Sequence, residues 1–249
     1  MTTTQPETGA PLAPRRVAHE AKHTLGGAWV TTTNGRYRML PGAGAAVTVT
    51  ADGAVRIYGP QTHAWWADVP GGATVGVDVR PGRLGGKICG DVRELADQQI
   101  DLRDLLPGRQ VSQFVDAILA RQHDADERVG ALQRETLRLF GAADPRVVAV
   151  EETLWSGGPA PVRTLAADAG LSVRQFHRLC TRAFGMGPAA LRRLARFERF
   201  LSLVGRSPLP LAQLAHEAGY FDQQHLARDC RLLTERTPTE VLGACGSAH

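Results

Sequence analysis

One pattern is written twice between Val162 and Leu242, and it constrains the chain to present two similar helical units. The first copy reads Leu165-Ala166-Ala167-Asp168-Ala169-Gly170, then Leu171-Ser172, then Val173-Arg174-Gln175-Phe176-His177-Arg178-Leu179-Cys180. The second reads Leu214-Ala215-His216-Glu217-Ala218-Gly219, then Tyr220-Phe221-Asp222, then Gln223-Gln224-His225-Leu226-Ala227-Arg228-Asp229-Cys230. The offset is 49 residues before the turn and 50 after it, so the second turn has one residue more. Each copy opens on Leu-Ala and closes its first helix with Ala-Gly. The small Ala lets a second helix cross closely, and Gly lets the chain leave the first one. Ser172 and Asp222 stand where N-caps are needed, and Gln175 three residues after Ser172 makes a capping box. Phe176, Cys180 and Phe184, like Leu226, Cys230 and Leu233, recur at helical spacing and should point inward. Arg174, Gln175, His177 and Arg178 are then left near the surface, as are Gln223, Gln224, His225 and Arg228. Such side chains on the second helix of a helix-turn-helix hydrogen-bond base edges and phosphates in a major groove.

Pro188 to Val204, between the copies, fits one long helix with Pro at its first position. Ala190, Leu194, Phe197, Leu201 and Val204 step by 4, 3, 4 and 3, which predicts a narrow apolar stripe. At about 1.5 Å per residue the helix is roughly 25 Å long. It would hold two reading helices for successive major grooves, about 34 Å apart. Arg192 and Arg193 are expected on its solvated side.

Residues 162–242 resemble the DNA-binding domain of AraC/XylS-type bacterial transcription regulators. The likeness covers both helix-turn-helix units, the linking helix with Arg196, and the segment Thr237-Pro238-Thr239-Glu240. Its most specific part is Ala218-Gly219-Tyr220-Phe221-Asp222-Gln223-Gln224-His225-Leu226 followed by Arg228. The family usually has Phe where this chain has Cys180 and Cys230, so each unit keeps a buried apolar residue but loses core volume. The resemblance implies promoter DNA as the partner, with RNA polymerase contact, a small-molecule effector and a homodimer as further partners to test. No cofactor is expected.

Composition agrees with a two-domain chain of 249 residues, 43% of them hydrophobic, with no apolar run long enough to span a membrane. Cys89, Cys180, Cys230 and Cys245 lie far apart without a CxxC pair, which disfavours a disulfide framework and fits a reducing cytoplasm. Residues 157–249 hold 12 Arg and no Lys against 7 acidic residues, while residues 1–156 hold 17 basic against 18 acidic. The positive excess therefore sits beside the duplicated pattern, as an anionic partner would require.

The Thr- and Pro-rich start, residues 1–23, reads as a disordered tail without a secretory core. Within it, His19-Glu20-Ala21-Lys22-His23 matches the H-E-x-x-H zinc motif. A Pro-rich neighbour and the lack of another Glu before Glu94 argue against a metal site there, so no metal ligand is assigned. From Trp29 to Val79 the periodicity is that of strands. Ala28–Thr33, Ala46–Thr50, Ala54–Tyr58 and Thr74–Val79 are β-branched runs punctuated by Asn34-Gly35, Asp52-Gly53 and Pro70-Gly71-Gly72. Gly59-Pro60-Gln61-Thr62, Val75–Gly82 and Arg93-Glu94-Leu95 resemble an uncharacterised N-terminal domain often found before this kind of DNA-binding domain. Leu40-Pro41-Gly42-Ala43 departs from that domain's Leu-Pro-Asp-Gly segment. Adjacent Trp65 and Trp66 should face opposite sides of a strand, so one of them, with His63, is a candidate pocket residue.

Stripes at Val111, Phe114, Val115, Ile118, Leu119 and at Val129, Leu132, Thr136, Leu137, Phe140 predict helices, with a weaker one through Val147, Val150, Glu151 and Leu154. Glu151-Glu152 is expected to be a solvated pair. The expected fold is α+β: a small antiparallel β-rich N-terminal domain with following helices, then an all-α domain of two helix-turn-helix units joined by a long helix. Its expected divisions are a tail (1–23), a regulatory domain (24–155, β-rich over 28–80 and helical over 109–155), a linker (156–161), the DNA-binding domain (162–243) and a tail (244–249). The function expected is a non-enzymatic, sequence-specific transcription regulator whose N-terminal domain senses a ligand or mediates assembly. The alternatives are a zinc hydrolase through His19 and His23, a cysteine-based DNA-repair protein, and a protein–protein interaction module.

Overall fold

The β-branched runs of the first third alternate strictly, and in a computed structural model they form one face of a buried sheet. The structure describes residues 15–17, 25–31, 35–69, 72–84, 88–121, 124–141, 144–155, 160–204 and 209–246. The strands are β1 (Arg15–Val17), β2 (Ala28–Thr31), β3 (Gly35–Met39), β4 (Ala45–Val49), β5 (Val55–Tyr58), β6 (Trp65–Val69), β7 (Thr74–Val79) and β8 (Gln99–Asp101). Six of them form an antiparallel sheet in the order β1-β2-β7-β4-β5-β8, and β3 pairs with β6 in a separate two-stranded sheet. β1 lies inside the stretch expected to be a disordered tail, with Arg16 opposite Trp29. The zinc-like motif at His19–His23 falls outside the described residues.

Because side chains alternate across a strand, Val47, Val49, Val55, Ile57, Val75 and Val77 share one face and are fully buried. They pack with helices α2 (Gly108–Leu119) and α3 (Ala125–Phe140), which follow the short α1 (Leu102–Leu105). Val111, Phe114 and Ile118 from α2 and Val129 and Leu132 from α3 fill that core. The opposite face carries Thr48, Thr50, Arg56, Tyr58, Thr74 and Gly76. Register lines up Arg56, Thr48, Gly76 and Trp29 in one row across four strands. Gly76 is required there, since a Cβ would stand 2.2 Å from the Trp29 ring.

A second core gathers α4 (Pro145–Trp155), α5 (Val162–Asp168), α6 (Val173–Phe184), α7 (Pro188–Leu203), α8 (Leu211–Glu217), α9 (Gln223–Thr234) and α10 (Pro238–Gly246). α4 gives Val147, Val150 and Leu154 to this core rather than to the sheet's. The stripe on α7 is wider than expected. Leu191, Ala195 and Phe200 are buried along with Leu194 and Phe197, because α4 and both helix-turn-helix units pack on this helix. Glu151 corrects another expectation. It is buried, accepts Arg80 Nε at 2.9 Å and the Gly82 amide at 3.0 Å, and so ties α4 to the end of β7. No helix among the described residues is long and apolar enough to cross a membrane. The architecture is α+β: an antiparallel β-rich N-terminal part followed by helices, then an all-α part of two helix-turn-helix units joined by α7.

Candidate nucleic-acid interface

In each unit the Leu-Ala pair is buried and the following Gly turns with positive φ, 67° at Gly170 and 86° at Gly219. The amides of Leu171 and Tyr220 then close on the carbonyls of Ala166 and Ala215 at 2.8 and 2.9 Å, satisfying helix-end acceptors in the same way twice. Four residues separate α5 from α6 and five separate α8 from α9. Ser172 and Gln175 form the capping box, and Asp222 accepts the His225 amide at 2.6 Å. Thr237 and Glu240 cap α10 reciprocally. Phe176, Cys180, Phe184, Leu226, Cys230 and Leu233 all face inward.

That seating leaves Arg174, His177 and Arg178 exposed on α6, and Gln223, Gln224 and Arg228 exposed on α9. Guanidinium and carboxamide groups so placed can pair bidentately with guanine and adenine edges. Gln175 is exposed too, but its Oε1 accepts the Ser172 amide at 2.9 Å, so the cap already uses one side of its carboxamide. His177 is engaged with Thr181 Oγ1 at 3.3 Å. His225 turns toward α7: it is half-buried, meets the Tyr220 ring edge-on at 5.2 Å and lies 3.9 Å from Asp229. Val173 and Phe221 stand exposed at the start of α6 and just before α9, 52% and 90% accessible. Such side chains can meet thymine methyl groups. Being apolar, they gave no signal in a search for polar readers.

Asp229 is the residue that periodicity could not expose. It is buried midway along α9, 3.3 Å from Arg193 and 3.0 Å from Arg196 of α7. Arg193 is therefore not a solvated surface group, because the second unit docks on it. Arg196 also lies over the Tyr220 ring at 5.3 Å. The thiols of Cys89, Cys180 and Cys230 are buried, and desolvation pushes the latter two up to about 12. A thiol held that high is no nucleophile at neutral pH.

A cavity of about 730 Å³ lies on the polar face of the large sheet. Trp29, Tyr58, Trp65 and Met39 give it apolar walls, Arg56 and Thr48 lie on its floor, and Glu198 and Leu201 of α7 close one end. Trp65 packs on Tyr58 with ring centroids 5.2 Å apart. Trp65 lines it, whereas His63 and Trp66 do not. Trp66 points to the other side of β6, 45% exposed, under the guanidiniums of Arg36 and Arg38 at 5.3 and 5.6 Å. His63 stays near the surface beside Thr62 and Asp97. Glu198 accepts Trp155 Nε1 at 2.6 Å and the Ala43 amide at 3.3 Å, and burial raises its carboxyl above the usual range. The alternation Thr48-x-Thr50 and Arg56-x-Tyr58 held the signal for the cavity floor. The closing residues of α7 had none, since they meet the sheet only through tertiary packing.

Residues 165–244 match the family model described as a helix-turn-helix domain. The probable bifunctional transcriptional activator/DNA repair enzyme AlkA of Mycobacterium tuberculosis is 35% identical over 80 residues in each of two strains. That match covers 32% of this chain but 16% of the relative's length, and it lies in the helix-turn-helix region. Among solved structures, ToxT from Vibrio cholerae is 10% identical, with a TM-score of 0.49 over 88% of this chain and 97% of its own. ToxT in an unsaturated fatty acid-bound crystal gives 12% and 0.45 over 86% and 93%.

Proposed function

We propose that this chain, whose residues 165–244 are an AraC-type helix-turn-helix domain, is a cytoplasmic, non-enzymatic transcription regulator. In this reading both units read one promoter site, α6 through Arg174 and Arg178 and α9 through Gln224 and Arg228. The observation that carries it is the pair of N-capped helices with exposed polar faces, both seated on the single helix α7. Phosphate contacts fix register while the exposed Arg and Gln specify bases. In the same reading the sensor segment, residues 24–155, supplies most of the cavity lining, and 162–243 supplies the readers. α4 belongs to the first by sequence and packs with the second.

A volume of 730 Å³ falls in the range of small-molecule sites, roughly 300–1,000 Å³. We assign it to a small, largely apolar effector. Because Glu198 and Leu201 line it, an occupant would touch the helix that carries both readers, and its binding free energy could bias their arrangement. Genome-wide mapping of bound DNA tests the first part. A shared motif with two separated conserved segments is expected, and DNA recovered without sequence preference would contradict it. Intrinsic tryptophan fluorescence tests the second, since Trp29, Trp65 and Trp155 all line the cavity. A binding metabolite should shift emission in the wild type and lose affinity in Trp65→Ala.

A further inference from the structure

The turns of the two helix-turn-helix units differ by one residue, and the hydrogen bonds identify it. The Leu171 and Tyr220 amides close on equivalent carbonyls, those of Ala166 and Ala215, and Ser172 and Asp222 are the equivalent N-caps. Leu171 therefore matches Tyr220, and Phe221 is the residue that the first turn lacks. Tyr220 is buried, whereas Phe221 is 90% accessible. The next most exposed large hydrophobic side chains among the described residues, Leu232 and Val173, stand at 57% and 52%. The Phe221 ring thus adds nothing to the core beneath it. A turn lengthened for its own sake would take Gly, Asn, Asp or Ser, which shape the backbone without an apolar surface. Phe221 directly precedes the N-cap of α9, and the first residues of a helix seated in a major groove are those that meet base edges. No Lys or Arg occurs from Gly219 to Ala227. The Asp222 carboxylate is engaged with the His225 amide, and His225 turns inward toward the Tyr220 ring. This end of α9 therefore presents Phe221, Gln223 and Gln224, groups that suit base edges, with no cation beside them to hold a phosphate.

We propose that Phe221 is a specificity-determining residue that packs its ring on the C5-methyl group of a thymine in the major groove. The proposal rests on the DNA-reading role given above and adds a base that no polar side chain of α9 would select. Thymine is the base that offers an apolar group on its major-groove edge, and Phe is among the side chains that meet it. Gln224 suits an adenine edge, so the two side chains together would select A·T pairs beneath the start of α9. Wedging of an apolar side chain between base pairs is a minor-groove device and does not fit a residue at the head of a major-groove helix.

The experiment uses the full chain and a duplex that it selects from a random-sequence pool. Each thymine of the selected site is replaced singly by deoxyuridine, which deletes the methyl group and leaves every hydrogen-bonding atom in place. Wild type and Phe221→Ala are compared on each duplex at several salt concentrations. At one thymine, uracil should weaken the wild type about fourfold, the worth of one buried methyl-sized group. Phe221→Ala should bind the thymine duplex more weakly by about that factor or more, show no further loss on the uracil duplex, and keep the salt slope of the wild type. Phe221 lies outside the core, so the unfolding midpoints of the two proteins should agree, and the uracil arm on the wild type needs no substitution in the chain. Uracil substitutions that are all neutral in the wild type overturn the proposal and leave the regulator reading intact. An equal uracil loss in Phe221→Ala also overturns it, by giving the methyl group to another residue. So does an unchanged affinity of Phe221→Ala for the selected site together with altered transcription in vitro from a promoter carrying it, which would give the ring to a protein partner. A wild type that selects no sequence from the pool removes the regulator reading itself, and this proposal with it.

Discussion

The two helix-turn-helix units share a backbone plan but are seated by different forces. Fifty residues apart, Leu179 and Asp229 occupy the same place on α6 and α9. In the first unit that place is a half-buried Leu beside Phe176, Cys180 and Phe184, and the seat is apolar. In the second it is a buried carboxylate held by Arg193 and Arg196 of α7. The far ends differ as well. α6 ends at Gly185, packed against the turn Val92–Glu94, where a Cβ would lie 3.1 Å from the Val92 carbonyl. α9 ends where Arg38 of β3 donates to the Thr234 carbonyl and to Glu235, and where the Ala64 amide donates to the Leu233 carbonyl. A repeat can therefore preserve its exposed polar face while one copy becomes dependent on charge.

The largest expected effect follows from that dependence. Breaking a buried ion pair from one side leaves the partner uncompensated, so Asp229→Ala should cost about 3–5 kcal/mol. Leu179→Ala, at the matching position, should cost about 1–2 kcal/mol because its side chain is only half buried. Chemical denaturation of both variants measures the gap, and equal losses would remove the distinction between the two seats.

Next in size are the reading faces. Arg174→Ala and Gln224→Ala should each weaken binding to the mapped operator by about 1–3 kcal/mol and relax preference at one base pair. Affinity for scrambled DNA should change little. If both leave operator affinity unchanged, the exposed faces do not read bases. Arg178 and Arg228, one turn further from the helix starts, are the positions where a uniform, salt-sensitive loss would identify phosphate contacts.

A smaller effect separates the cavity on the large sheet from the units it borders. Burial raises the Glu198 carboxyl above its usual 4.5, so the native chain holds the proton more tightly than the unfolded one. Its contribution to stability is present in full below that ordinary value and is lost as pH rises through the raised one. Glu198→Gln keeps an acceptor for Trp155 Nε1 and cannot titrate. Relative to it, the wild type should lose stability as pH climbs from about 4.5 toward neutrality. Parallel profiles across that window would mean that Glu198 ionises without cost.

The smallest concerns the clasp on α9. Arg38→Ala should speed amide exchange at Ala64, whose partner is the Leu233 carbonyl, and leave exchange along α6 unchanged. Unaltered exchange at Ala64 would show that the hairpin β3–β6 does not depend on Arg38 to hold the second unit.

Most of the helix-turn-helix framework was legible because it rests on local rules. Caps at Ser172, Asp222 and Thr237, the turning Gly170 and Gly219, and the inward Phe176 and Leu226 are set by spacings within a few residues. The core face of the large sheet was legible for the same reason, through the alternation at Val47, Val49, Val55 and Ile57. What could not be read was set by distant partners. β3 was not among the expected strands, and the pairing of β8 with β5 could not be inferred. Asp229, Glu151 and Glu198 look like surface carboxylates in sequence, and only their cations or amide donors, brought in by packing, account for their burial. His225 is half-buried for that reason too: the Tyr220 ring and Asp229 draw it inward.

Footprinting of the monomer on its operator tests the central claim, that two unlike-seated units read one DNA site together. The account predicts two protected segments about one helical turn, roughly 10 base pairs, apart. Arg174→Ala should weaken protection of one segment and Gln224→Ala of the other. A single protected segment, weakened by one substitution and indifferent to the other, would contradict it.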